Sequence, residues 1–100
     1  MFKYIMFSNG LRDVPIIFPK EFVHSLMSEA FLSIKEHERF TPVSAGELSI
    51  EGTQSGILSF RFICFGESST LNLKSRSIDS SIVTNHPWEF GSNGFSMPVS

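Results

Sequence analysis

Hydrophobic and polar residues alternate with two different periods along this chain, and the changes of period divide it into elements. From Phe2 to Phe7 the run is aromatic and aliphatic with Lys3 as its one charge, which predicts a strand. Ser8-Asn9-Gly10 reads as a turn, because Asn and Gly tolerate positive φ. Val14 to Phe18 predicts a second strand. Its Pro15 cannot donate to a ladder, which pushes the strand to a sheet edge or leaves its N–H side unpaired. After Pro19 the period lengthens to about 3.6. Phe22, Val23, Leu26, Met27, Ala30, Phe31 and Ile34 recur at spacings of three and four, predicting an amphipathic helix near residues 21–37 with these side chains toward the core. Its start is either Lys20-Glu21 behind Pro19 or a Ser25 cap, and Pro42 bars continuation.

Period two returns in the central stretch. Thr41 to Gly46, TPVSAG, reads as a small-residue crossover into a hairpin. Leu48 and Ile50 alternate with Glu47, Ser49 and Glu51, residues 52–56 supply a Gly-bounded loop, and Leu58, Phe60, Phe62 and Cys64 form one wholly apolar side of the returning strand. Ser68 to Leu73 predicts a short return strand. A second helix near 77–84 follows, capped by Ser75 or Ser77, with Asp79 in its first turn and an apolar stripe of Ile78, Ile82 and Val83. Beyond Phe90, GSNGFSMPVS has no period, and residues 91–100 are expected to be a flexible tail behind a single domain of residues 1–90. The expected fold class is α+β, a small antiparallel sheet of about five strands with one main helix and one short helix packed beside it.

Composition narrows the partners. A chain of 100 residues is one domain with room for its own core, so it needs no staple of disulfide or metal. A formal charge of −2 disfavours duplex nucleic acid, which rewards a basic surface. Cys64 is the single cysteine and has no intramolecular partner, which suits a reducing cytoplasm. The N-terminal apolar run falls short of a signal peptide and no run approaches a membrane span, so no membrane association is expected.

The residues suited to chemistry are few. His24 lies beside the helical stripe and His37 near the helix end, positions that favour structural over catalytic roles. His86 and Trp88 in NHPWEF either line a small pocket or plug the core. Cys64 points toward the core with Phe60 and Phe62, where a thiol stays protonated and inert. No phosphate loop, nucleophile elbow, triad or zinc framework is present, so no enzyme activity, cofactor or metal is expected. Arg61, Lys74 and Arg76 are candidate anion or partner contacts, with Lys74-Ser75-Arg76 at a corner before a helix N-terminus. Phe40, Phe90 and Phe95 are candidate aromatic anchors for a partner.

The succession of SNGL, PIIFP, PVSAG, CFGESSTLNLKSR and Ile78-Asp79 over residues 1–83 resembles small proteins encoded by phages and prophages. That resemblance implies a mobile-element origin and carries no catalytic residue with it. The expectation is a noncatalytic protein in the cytoplasm of an infected bacterium. It would inhibit or redirect a host protein complex, such as a CRISPR-type defence effector, through a sheet face or edge. The alternatives are a phage assembly component that self-associates, including as a homodimer through a sheet edge, and a protein that sequesters a nucleotide or small ligand near Lys74, Arg76, His86 and Trp88.

Overall fold

A computed structural model of the chain describes residues 1–54, 58–90 and 96–98, with side chains described over 1–52 and 61–87. Its centre is strand β1, Phe2–Ser8, whose Tyr4, Ile5, Met6 and Phe7 are all 0% exposed. Successive side chains of a strand point to opposite faces, so four consecutive buried residues require cover on both sides of the sheet. β1 is accordingly an interior strand, antiparallel to β2, Asp13–Pro19, on one side and to β3, Thr41–Gln54, on the other. β4, Leu58–Phe65, pairs with β3, and the order β4-β3-β1-β2 forms the body of the sheet.

The two faces of β1 head two separate cores. Ile5 and Phe7 join Val14, Ile16, Phe18, Ala45, Phe31 and Phe40 under helix α1, His24–Leu32. Tyr4 and Met6 join Ile17, Leu48 and Val83 under helix α2, Asp79–Asn85. The α+β class therefore holds, while the helices lie on opposite faces of the sheet instead of side by side.

α1 is shorter and differently rotated than its period suggests. Val23, extended at φ −83° and ψ 137°, is its N-cap without a side-chain hydrogen bond, and an extended Ile34 separates it from a single 3-10 turn at Lys35–His37. The buried positions are His24, Ser28 and Phe31, whereas Phe22, Val23, Leu26 and Ile34 face solvent. Specific contacts override the apolar count. The His24 ring nitrogen Nε2 meets the Gly46 carbonyl at 2.9 Å, and its ring lies edge-on to Phe18 at 5.4 Å. Phe31 stacks between Phe7 at 4.0 Å and His37 at 3.9 Å.

Thr41 to Gly46 is strand, not crossover: Tyr4 faces Gly46, Ile5 faces Ala45 and Met6 faces Ser44, with a register shift before Phe7 meets Pro42. Gly46 is small for a reason, since a Cβ there would fall against the Phe65 carbonyl oxygen. The expected return strand at Ser68 to Leu73 is likewise absent from the main sheet. Left-handed Gly66 (φ 77°) and Asn72 (φ 55°) bend this segment into a two-stranded ribbon of β5, Glu67–Ser68, and β6, Leu73–Lys74. Leu71 and Leu73 of this segment pack on the α1 side. β7, Trp88–Phe90, pairs with β8, Ser96–Pro98, which meets β2 at Ile17, so the sheet continues past β2. The rest of the expected tail, residues 91–95 and 99–100, lies outside the described residues.

Candidate functional site

β1 ends opposite Leu48, yet the β3–β4 pairing continues for six further pairs, from Ser49 opposite Ile63 to Gln54 opposite Leu58. At about 3.3 Å per residue this two-stranded ribbon runs roughly 20 Å past its neighbour β1, and the molecule is 42 Å along its longest axis against 27 and 26 Å across. The ribbon has two unlike sides. On one, Glu51 and Arg61 face each other across the strands and form an exposed ion pair, Arg61 Nη2 to Glu51 Oε2 at 2.8 Å. On the other, Ile50 faces Phe62. Phe62 is half-buried against α2, while Ile50 is 47% exposed.

The outer edge of β4 is sealed where α2 passes it. Thr84 Oγ1 accepts the Phe62 N–H at 2.9 Å and donates to the Phe62 carbonyl at 3.3 Å, and Ser80 Oγ accepts the Cys64 N–H at 2.9 Å. Ser80 and Thr84 stand four apart on one helix face, and Phe62 and Cys64 stand two apart on one strand edge, so both spacings match. At these residues the edge expected to take a partner strand is already occupied by the chain's own hydroxyls. A cleft of about 440 Å³ opens beside this contact, lined by Arg61, Phe62, Ile63, Ser80, Ser81, Thr84 and Asn85. Most of its polar groups are already engaged: Arg61 with Glu51, Ser80 and Thr84 with β4, and Asn85 with the Ser81 carbonyl at 2.9 Å.

Beneath α2 lies a polar cluster, buried at Tyr4 and Asp79, that joins residues 75 apart in sequence. Asp79 is 0% exposed, and its Oδ2 accepts the Tyr4 hydroxyl at 2.6 Å and the Arg76 N–H at 3.0 Å, while Oδ1 accepts Arg76 Nε at 3.0 Å. Arg76 Nη2 sits 3.5 Å from Asp13 Oδ2, at ion-pair distance but not aligned for a hydrogen bond. Burial, followed by the Asp79 bond, holds the Tyr4 phenol far above its ordinary range. Burial, followed by the Asp79 charge, pushes the Cys64 thiol up to about 12. Neither Ser75 nor Ser77 caps α2; the carboxylate that reads as a dipole partner is instead the anchor of the helix.

The candidate contacts are not assembled into one site. Arg61 is held by Glu51 on the ribbon, and Arg76 is turned inward to Asp79 and Asp13, which removes it from any anion site at the corner. Lys74 is exposed on β6. His86 is half-buried at the end of α2, and burial, then Arg12, lowers its pKa. Trp88 lies in β7, but its side chain, like those of Phe90 and Phe95, falls outside the described residues. Phe40, expected as an exposed anchor, is 5% exposed and packs edge-on against Phe31 at 5.9 Å. Among the described residues no group of three His, Cys, Asp or Glu side chains could hold a metal ion, and no helix is long and apolar enough to cross a membrane. No protein-family model, curated protein or solved structure matches this chain.

The Tyr4–Asp79 bond joins residues 75 apart in sequence, and sequence periodicity carries no trace of it. One signal was available. A tyrosine amid a run of core residues needs a partner for its hydroxyl, and buried carboxylates need cationic or hydroxyl donors.

Proposed function

We propose that this chain is a noncatalytic binding protein that docks the apolar side of its β3–β4 ribbon onto a protein complex of a bacterial host and inhibits or redirects it. The observation that carries this reading is the ribbon itself. A two-stranded hairpin is marginal in water without a packed face, and here Ile50 stands exposed opposite Phe62, at the limit of the cover α2 provides. The Glu51–Arg61 ion pair on the other side suits solvent, so the ribbon presents the Ile50 side to a partner. The resemblance to phage and prophage proteins supports a host target, with defence effectors of the CRISPR type as the first class to test and the cytoplasm of an infected bacterium as the place of action. The cleft beside α2 gives no comparable support to ligand sequestration, because most of its polar groups are engaged within the chain.

The test is affinity capture from a nuclease-treated bacterial lysate with the wild-type protein and Ile50→Asp. Ile50 is exposed, so this variant should melt with the wild type. The reading requires one stoichiometric host complex on the wild-type protein and its loss from Ile50→Asp. Bait alone on both, or equal capture by both, would overturn it.

A further inference from the structure

We propose that the turn between β1 and β2 is a site of spontaneous covalent modification, at which the Gly10 nitrogen closes on the side-chain carbonyl carbon of Asn9 and expels ammonia. The Asn9 N–H donates to the Arg12 carbonyl at 3.3 Å, so Gly10 and Leu11 form a two-residue hairpin loop, with Gly10 in the left-handed region at φ 89°. The Asn9 side chain folds forward along this loop. Its Oδ1 accepts the N–H groups of both Leu11 and Arg12, each at 2.9 Å. Those two donors are aimed at the atom on which negative charge develops when Cγ becomes tetrahedral, which is the arrangement of an oxyanion hole. The attacking nitrogen belongs to a residue with no side chain to hinder approach, and a Cβ added at Gly10 would meet nothing within 4 Å. Its N–H already donates to Ser8 Oγ at 3.2 Å, which gives the departing proton an acceptor. Residues 9–12 are all exposed, so water and hydroxide reach the site. The fold thus holds nucleophile, electrophile and charge-stabilising donors together in one turn.

The bond formed joins the Gly10 nitrogen to Asn9 Cγ. The bond broken joins Cγ to the side-chain nitrogen, which leaves as ammonia with the proton lost from the Gly10 N–H. Water then adds to either carbonyl of the resulting succinimide and opens the ring, with no change of oxidation state. Opening at the former side-chain carbonyl leaves an aspartate at position 9, which keeps an acceptor for the Leu11 and Arg12 N–H groups and adds one negative charge. Opening at the main-chain carbonyl leaves an isoaspartyl linkage. That product inserts a methylene into the main chain ahead of Gly10, so the two-residue loop no longer fits the pairing of Ser8 with Asp13. The modification therefore acts on the junction of the two strands that carry most of the core.

Incubation of the full chain at mildly alkaline pH in heavy-oxygen water, folded and in guanidinium chloride, tests it. Peptide mass spectrometry reads the conversion at position 9, and uptake of heavy oxygen marks product formed during the incubation. The expected result is aspartyl and isoaspartyl product carrying heavy oxygen, formed faster in the folded chain than in the unfolded one. Leu11→Pro deletes one of the two donors at a residue that is 94% exposed. An oxyanion donor in a closed active site is worth about 100-fold or more, and in this exposed turn its loss should slow the folded reaction by about tenfold. The melting temperature of the variant checks that its fold is kept, and the folded and unfolded rates of the wild type decide the matter if it is not. No conversion at position 9, slower conversion in the folded wild type than in denaturant, or a folded Leu11→Pro chain reacting at the wild-type rate would each overturn the proposal.

Discussion

Tyr4→Phe deletes one oxygen from the middle of the protein and leaves the ring that fills the space beneath α2. The hydroxyl it removes is fully buried and donates at 2.6 Å to a carboxylate that is itself 0% exposed. Hydrogen bonds to charged groups contribute about 1.5–3 kcal/mol. No cavity forms, and Asp79 keeps both Arg76 donors at 3.0 Å, so the larger penalty of an orphaned buried carboxylate does not arise. At about 4–8 °C per kcal/mol for a domain of this size, the variant should melt roughly 6–24 °C below the wild type. Asp79→Ala, which strands the buried phenol and leaves Arg76 to Asp13 and solvent, should cost more than Tyr4→Phe. The double variant should cost less than the sum, since the two residues share one network. Thermal unfolding by circular dichroism reads all three. The single tyrosine offers a second readout by its ultraviolet absorbance. Its pKa is raised in the folded state, so its contribution to stability is complete below the ordinary phenol value of about 10 and is lost as pH rises above it. Tyrosinate should therefore appear only with alkaline unfolding. A Tyr4→Phe melting temperature within about 2 °C of the wild type, or a phenol titrating normally in the folded protein, would refute the buried Tyr4–Asp79 contact.

Three further outcomes follow from other parts of the fold. Burial lowers the pKa of His24 and outweighs the upward pull of its hydrogen bond to Gly46, with Lys3 adding a smaller downward effect and Glu47 a still smaller upward one; stability should therefore fall as pH drops below about 6.5, where the unfolded chain takes up the proton first. His86 adds to this in the same direction, and His24→Gln should flatten the slope of melting temperature against pH; an unchanged slope would exclude His24 as a source. Cys64, with its thiol pushed up to about 12, should react with an alkylating reagent far more slowly folded than unfolded, and labelling at the unfolded rate in native buffer would contradict its burial. Gly46→Ala forces a Cβ against the Phe65 carbonyl and should cost about 1–3 kcal/mol by thermal melting; a neutral result would mean that β3 and β4 part easily there.

Much of the strand content was legible because it rests on local pattern. The run Phe2 to Phe7 read as a strand from its aromatic and aliphatic residues, but the cover on both of its faces, with the helices on opposite sides of the sheet, was not read and the two helices were expected side by side. The rotation of α1 was not legible. A periodicity count scores Leu26 as core and His24 as polar, but it cannot see the Gly46 carbonyl that takes the His24 N–H or the Phe7 ring that fixes Phe31. TPVSAG misled because Pro, Gly and Ser are poor strand formers; Gly46 is there because the Phe65 carbonyl comes too close for any side chain. Arg76 looked free at a corner because its partners Asp79 and Asp13 lie on a helix and a strand that only the fold brings to it. The ribbon's apolar row was visible in Ile50 and Phe62, whereas its extension past β1 depends on where β1 begins.

The most direct test of the docking face is hydrogen exchange on the free protein and on the host complex it captures, compared peptide by peptide. The ribbon reading predicts slowed exchange in the complex over residues 49–63, with the Tyr4 and Phe31 cores unchanged. Protection confined to other elements, with the ribbon exchanging as in the free protein, would contradict it.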